Sequence, residues 1–235
     1  GVKKEEGKLV EEILPSLLPQ LISSLDFPRS MLWGEGNFRF VRPIRWICAL
    51  WGDKEINFEI AGVSASRFTQ GHRFLSPGPV ELKETSQYFS SLEEAKVIVS
   101  QEERRKKIEE ALTREEQLIG GHWLKDESLI QEVNFLVEYP DALTGRFDSQ
   151  YLRLPHRVLT TVMKHHQKYF ACVDDQGELL PFFFIVLNRP REGGEKIVKG
   201  NERVLKARLE NALFFFEEDR KKPLRERVET LSGVI

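Results

Sequence analysis

The stretch that most constrains the fold of this chain is residues 154–216, where the hydrophobic period changes from helix to strand and back to helix. It opens with Leu154 and Pro155, then places Val158, Leu159, Val162 and Met163 at helical spacing. A basic run follows: Lys164, His165, His166, Gln167, Lys168, Tyr169, Phe170. Residues 170–173 and 182–187 are strand candidates that pair across 174–178, around Gly177, as a hairpin. Beyond them, Arg189, Pro190 and two glycines lead to Lys199, Gly200, Asn201, Glu202 and Arg203, the predicted opening of a long helix. A helix with a basic first turn suits an anion, because its first backbone N–H groups have no internal partner. A helix cap with solvated basic residues accounts for the same pattern, and the residues leave both readings open.

Along that helix Leu205, Leu209, Ala212, Leu213 and Phe216 share one stripe, while Lys199, Arg203 and Lys206 fall on another face. Phe214, Phe215 and Phe216 cannot all face one core. Phe214 and Phe215 are therefore candidates for a contact with another domain or subunit.

Upstream, residues 7–25 carry a leucine-rich helical stripe interrupted by Pro15 and Pro19, which predicts one kinked helix or two short ones burying that stripe. Residues 31–37 read as a loop anchored by Trp33, and residues 38–45 as an edge segment with Arg39, Arg42 and Arg45 on one side. Residues 44–51 and 55–63 form the clearest hairpin, around Gly52, Asp53 and Lys54. His72 and Arg73 follow a glycine in a loop, as a satisfied turn or as ligand donors. Val80 and Leu82 suggest a short strand, residues 84–92 a helix and residues 95–99 another strand. Ser100, with Glu103 three residues on, predicts a capping box for a charged helix over 101–119, which Gly120 and Gly121 end. Residues 127–137 are helical and residues 142–147 a strand candidate.

Charge is unevenly spread: from residue 151 onward there are 16 Lys plus Arg against 12 Asp plus Glu, and before it 19 against 25. A polyanion would meet the second half first. Cys48 and Cys172 sit far apart in apolar runs, which reads as two buried reduced thiols. No apolar run is long enough to span a membrane. A phosphate-cradling glycine loop, a dinucleotide fingerprint and a zinc-binding His-Glu-x-x-His are all missing. Adjacent His165 and His166 diverge too widely to share a metal, so neither a metal site nor a catalytic constellation is assigned. Residues 231–235 end without a stop signal, the mark of a fragment.

Six ordered blocks support a resemblance. They are Met31-Leu32-Trp33-Gly34 with Phe40-Val41-Arg42-Pro43; Gly71-His72-Arg73-Phe74; Val137-Glu138-Tyr139-Pro140; the run 163–170; Leu179-Leu180-Pro181; and Gly200-Asn201-Glu202-Arg203-Val204-Leu205 with Arg208-Leu209. Together they resemble the beta subunit of bacterial heterotetrameric glycyl-tRNA synthetase, over nearly the whole chain but roughly a third of the subunit. Leu32 departs from the arginine usual there. The resemblance implies an accessory part of glycine–tRNA ligase in the cytoplasm. The partners it implies are an alpha subunit, glycine tRNA and a second beta chain, and no membrane. It places the active site, with ATP and Mg, on the alpha subunit and no cofactor in this fragment. Charge and position then nominate Lys164, His165, Lys168, Tyr169, Arg203, Lys206, His72 and Arg73 for nucleic-acid contact. A scaffold between subunits is the alternative. The fold class expected is α+β, antiparallel hairpins with packed helices. Its expected parts are residues 1–83, a helix-rich lobe or insertion at 84–137, and residues 138–235.

Overall fold

The computed structural model describes residues 7–34, 38–223 and 225–226. The architecture is α+β, as the hairpins and helical stripes require, and the chain divides into two compact units, Gly1–Val99 and Ser100–Ile235. Residues 231–235, which end without a stop signal, lie outside the described residues.

In the first unit, α1 (Val10–Ser24) runs unbroken through Pro15 and Pro19. The two prolines are four apart, so the missing donors fall on one face and the rest of the ladder carries the helix. The stripe expected to be buried is only partly covered: Val10, Leu14, Leu18 and Ile22 are half-buried, while Leu9, Ile13, Leu17, Leu21 and Leu25 are exposed.

The segment expected as a loop after residue 30 is instead β1 (Met31–Trp33), antiparallel to β2 (Phe38–Phe40), with Trp33 edge-on to Phe38 at 5.7 Å. Residues 35–37 of that expectation lie outside the described residues. The predicted single hairpin is two tight ones. β3 (Ile47–Cys48) precedes β4 (Leu50–Trp51), which turns at Gly52 into β5 (Lys54–Glu55); β6 (Glu59–Ile60) turns at Ala61 and Gly62 into β7 (Val63–Ser66). Positive φ at Ala61 (52°) and Gly62 (77°) supplies the twist a two-residue hairpin loop needs. The return strand β7 then pairs parallel with β3. β8 (Phe68–Gln70) pairs antiparallel with β9 (Pro79–Glu81), and α2 (Tyr88–Glu94) follows. Residues 95–99 do not form the predicted strand. Their first amides are spent closing α2, Lys96 N–H to the Glu93 carbonyl and Val97 N–H to that of Leu92.

The second unit has three layers. α3 (Gln101–Ile119) starts where predicted, with the Ser100 side chain accepting from the Glu103 N–H, and ends at Gly120 in the left-handed region. β10 (His122–Trp123), α4 (Glu127–Asn134), β11 (Asp141–Arg146) and α5 (His156–Thr161) come next. The hairpin β12 (Phe170–Val173) and β13 (Leu179–Leu187) forms as expected, and α6 (Glu195–Lys221) closes the unit. The strands make one antiparallel sheet in the order β10-β12-β13-β11. Strand side chains alternate between faces. Phe184 and Phe170 pack under Ile108, Leu112, Leu129 and Ile130 of α3 and α4. Phe183 and Ile185 pack under Leu159, Leu205 and Leu209 of α5 and α6. Helices on both faces explain why β13 reads as an unbroken apolar run rather than an alternation. Leu205 and Leu209, at 0% exposure, each contribute about 1.5–3 kcal/mol of burial. Gly145 on β11 lies under the Phe183 ring, whose Cζ would meet a β-carbon there at 2.4 Å.

Candidate functional site

The basic run predicted at 164–169 is not a regular helix end. After α5 the backbone widens into a π-helical turn, Val162–Gln167, which Lys168 ends in the left-handed region at φ 59°. The Lys168 and Tyr169 N–H groups reach back to the carbonyls of Lys164 and Met163. That conformation costs a lysine about 1–2 kcal/mol. An ion pair offsets part of it, Lys168 Nζ lying 2.7 Å from Glu132 of α4.

Lys164 is held as well. Its Nζ donates to Asp126 Oδ2 at 2.6 Å and to Ser128 Oγ at 2.8 Å. Asp126 also caps α4 by accepting from the Leu129 N–H. Burial works against the Asp126 charge, but the bonds from Lys164, Leu129 and Ser128 outweigh it and hold the carboxyl below its ordinary value. Both lysines therefore fasten the π turn to α4.

Tyr169 is 3% exposed, its ring 4.7 Å from Phe183 and its hydroxyl donating to Asn201. Burial pushes its phenol up to about 12. Sunk in the core, the ring packs on Phe183. His165 and His166 are exposed.

On α6 the geometry differs. The helix begins at Glu195, after Gly193 and Gly194, so the basic first turn predicted at Lys199 and Arg203 is in fact the second and third turns. Glu195 and Lys196 fall in the first turn, where an acidic residue suits the helix dipole. The cations share a face all the same. Arg146, at the end of β11, joins Lys199, Arg203 and Lys206 along an open groove of about 600 Å³, with Asp148, Ser149 and Glu202 also lining it. Glu202 accepts the Arg146 backbone N–H at 2.9 Å, and Lys206 approaches Glu210 at 3.8 Å. Among the described residues, Arg146, Lys199 and Arg203 have no ion-pair partner. Arg146 carried no sequence signal; only the strand register brings it to α6.

His72 and Arg73 belong to the first unit. His72 is 1% exposed, and its Nδ1 accepts from the Phe74 and Leu75 N–H groups at 3.3 and 3.2 Å. The imidazole is the hub of the loop after β8 and presents no surface. Arg73 is exposed and lies 5.6 Å over the Phe74 ring. Phe214 and Phe215 are 57% and 63% exposed and stack edge-on at 5.5 Å, while Phe216 turns into the core beside Leu213.

With this geometry in place, comparison with known proteins is decisive. The family model described as the glycyl-tRNA synthetase beta subunit matches residues 1–235. The chain belongs to this family. The glycine–tRNA ligase beta subunit of Moorella thermoacetica is 47% identical over 235 residues, and that of Geobacter metallireducens 42% over 235, both covering the whole chain. The same subunit of Thermodesulfovibrio yellowstonii is 47% identical over 238 residues. The chain spans about a third of the length of these relatives, 34% or 35%. In this chain the α6 face, more than the π turn, presents cations outside ion pairs, with Asp148 and Glu202 beside them. Among the described residues no helix is long and apolar enough to cross a membrane, and no cluster of three metal-ligating side chains occurs.

Proposed function

We propose that this chain is the part of a glycine–tRNA ligase beta subunit that docks glycine tRNA by its sugar-phosphate backbone along the groove between α6 and the end of β11. The observation that carries this is the convergence of Arg146, Lys199, Arg203 and Lys206 on one groove, three of them in no ion pair among the described residues. Like charges held together repel, which costs stability unless a polyanion meets them. Arginine forks and lysine ammoniums bind phosphate oxygens and fix register without reading sequence. In this reading Arg203 and Lys206 are contacts, with His165 and Arg73 as outlying donors, and Lys164 and Lys168 position the π turn. Glycine activation with ATP and Mg then falls to the alpha subunit, in a cytoplasmic assembly with two beta chains.

The test is tRNA binding by the full-length protein with its partner subunit, over a salt series. Arg203→Glu combined with Lys199→Glu should weaken binding at least tenfold and flatten the salt dependence, each lost phosphate contact lowering the slope by about 0.7–0.9. Equal affinity and slope in mutant and wild type would refute the docking role. A second reading, an inter-subunit scaffold, is favoured by the exposed Phe214–Phe215 pair. Replacing both with serine should then lower subunit association in sedimentation while tRNA affinity of the remaining complex holds.

A further inference from the structure

Beside the π turn lies a cavity of about 310 Å³ that the docking groove does not use. Its floor is apolar, from the buried Leu129, Phe170 and Ala171 and the half-buried Leu124, and its rim carries Arg157, Lys164 and His165. Every side is built from the second unit. π-helical turns cost regular hydrogen bonding and occur often at functional sites. Here the wide turn sets Lys164 and His165 on the rim, and the buried Tyr169 adds to the lining.

The chemistry of the rim selects an anion. An ammonium has three donors and a guanidinium five. Lys164 spends two, on Asp126 and Ser128, and keeps one. The Arg157 side chain has no ion pair or hydrogen bond among the described residues. Arg157 and Lys164 against Asp126 leave one net positive charge, which matches the single charge of a phosphodiester better than a triphosphate. The floor asks for an apolar or aromatic body attached to that anion. The volume is at the small end of ligand sites and admits one such unit. RNA supplies this combination when a base leaves the stack, since splayed-out bases settle against protein side chains while their phosphates meet cations.

We infer that this cavity takes one unstacked nucleotide of the docked tRNA, its phosphate on Arg157, His165 and the remaining N–H of Lys164, its base against Leu124, Leu129 and Phe170. The inference rests on the docking reading above and adds a point at which a particular nucleotide is held.

The experiment pairs tRNA affinity with chemical probing of tRNA bases, in the full-length protein with its partner subunit. Thr161 lines the mouth and is exposed, so Thr161→Trp plugs the cavity without altering charge or core. Arg157→Ala removes the anion donor. Both should weaken tRNA binding about five- to 150-fold, the range of about 1–3 kcal/mol that a base–side-chain contact supplies. In both, one base protected by the wild-type protein should become reactive, and Arg157→Lys should restore part of the affinity. Unchanged affinity and protection in Thr161→Trp overturns the inference. If adenosine monophosphate binds wild type but not Thr161→Trp while the two give the same tRNA footprint, the cavity serves a free nucleotide and the tRNA assignment is wrong. Arg203→Glu run in parallel separates the claims: weakened binding there alone leaves docking standing and removes this cavity from it, and no effect in any variant removes both.

Discussion

Replacing Arg191 by alanine tests how the α3 layer of the second unit is tied to its sheet. Glu115 of α3 is buried, its side chain 3% exposed, with Arg191 Nη1 2.6 Å from Oε1. That approach lacks the N–H alignment of a hydrogen bond, so the attraction is chiefly coulombic. Thr144 on β11 donates to Oε2 at 3.0 Å, and Arg114 stands 3.9 Å away. Removing one partner of a fully buried pair costs about 3–5 kcal/mol, because the other charge is left uncompensated. Here Arg191 is 31% exposed and Arg114 remains in range, so the expected cost of Arg191→Ala falls to about 2–3 kcal/mol. The reverse change is gentler. In Glu115→Leu the stranded Arg191 reaches water, and the loss is chiefly the Thr144 acceptor, about 1 kcal/mol. The double variant should therefore be more stable than Arg191→Ala alone. Hydrogen exchange at β11 and β13 amides reads this unit separately from the first. An Arg191→Ala loss below about 0.5 kcal/mol, or a double variant no better than the single, would refute the account of a buried charge needing its partner.

Three further outcomes follow from local geometry. Ser100→Ala should destabilise α3 by about 1 kcal/mol and Ser100→Gly by only a few tenths, measured by exchange of the first-turn amides, since only the serine oxygen accepts from Glu103. His122 is raised above the ordinary imidazole value, first by its hydrogen bond to Asp175 at 2.9 Å and further by the Glu116 charge, against a smaller solvation loss. A raised folded value gives stability that is complete below the unfolded value of about 6.5 and is lost as pH rises through the folded one. Asp175→Asn should lower the His122 midpoint in an NMR titration; an unmoved midpoint contradicts the bond. Cys172 is 0% exposed, and burial pushes its thiol up to about 11, while Cys48 is half-buried. A thiol reagent at pH 8 should label Cys48 first and Cys172 only on unfolding, and equal rates in mass spectrometry would show that the sheet opens.

Much of the second unit was legible because its signals are local. Ser100 and Glu103 are one helical turn apart, the hairpin strands are separated by five residues, and the α6 stripe repeats within one helix. The first unit was less so. Its strands are two to four residues long, too short for alternation to show, and its parallel β3–β7 pairing joins segments with two turns between them. The edge strand β10 went unread for the same reason, being only His122 and Trp123.

Sequence by itself determined which residues carry charge and which share a helix face, because side-chain chemistry and the 3.6-residue period are local properties. Tertiary structure alone decided which charges are already spent. Lys164 and Lys168 meet Asp126 and Glu132 from 38 and 36 residues away, whereas Arg203 shares a groove with Arg146, 57 residues away, and forms no ion pair among the described residues. Partners that far apart are set by how layers stack, since an ion pair forms only where packing of the core has already brought its two ends within a few ångströms.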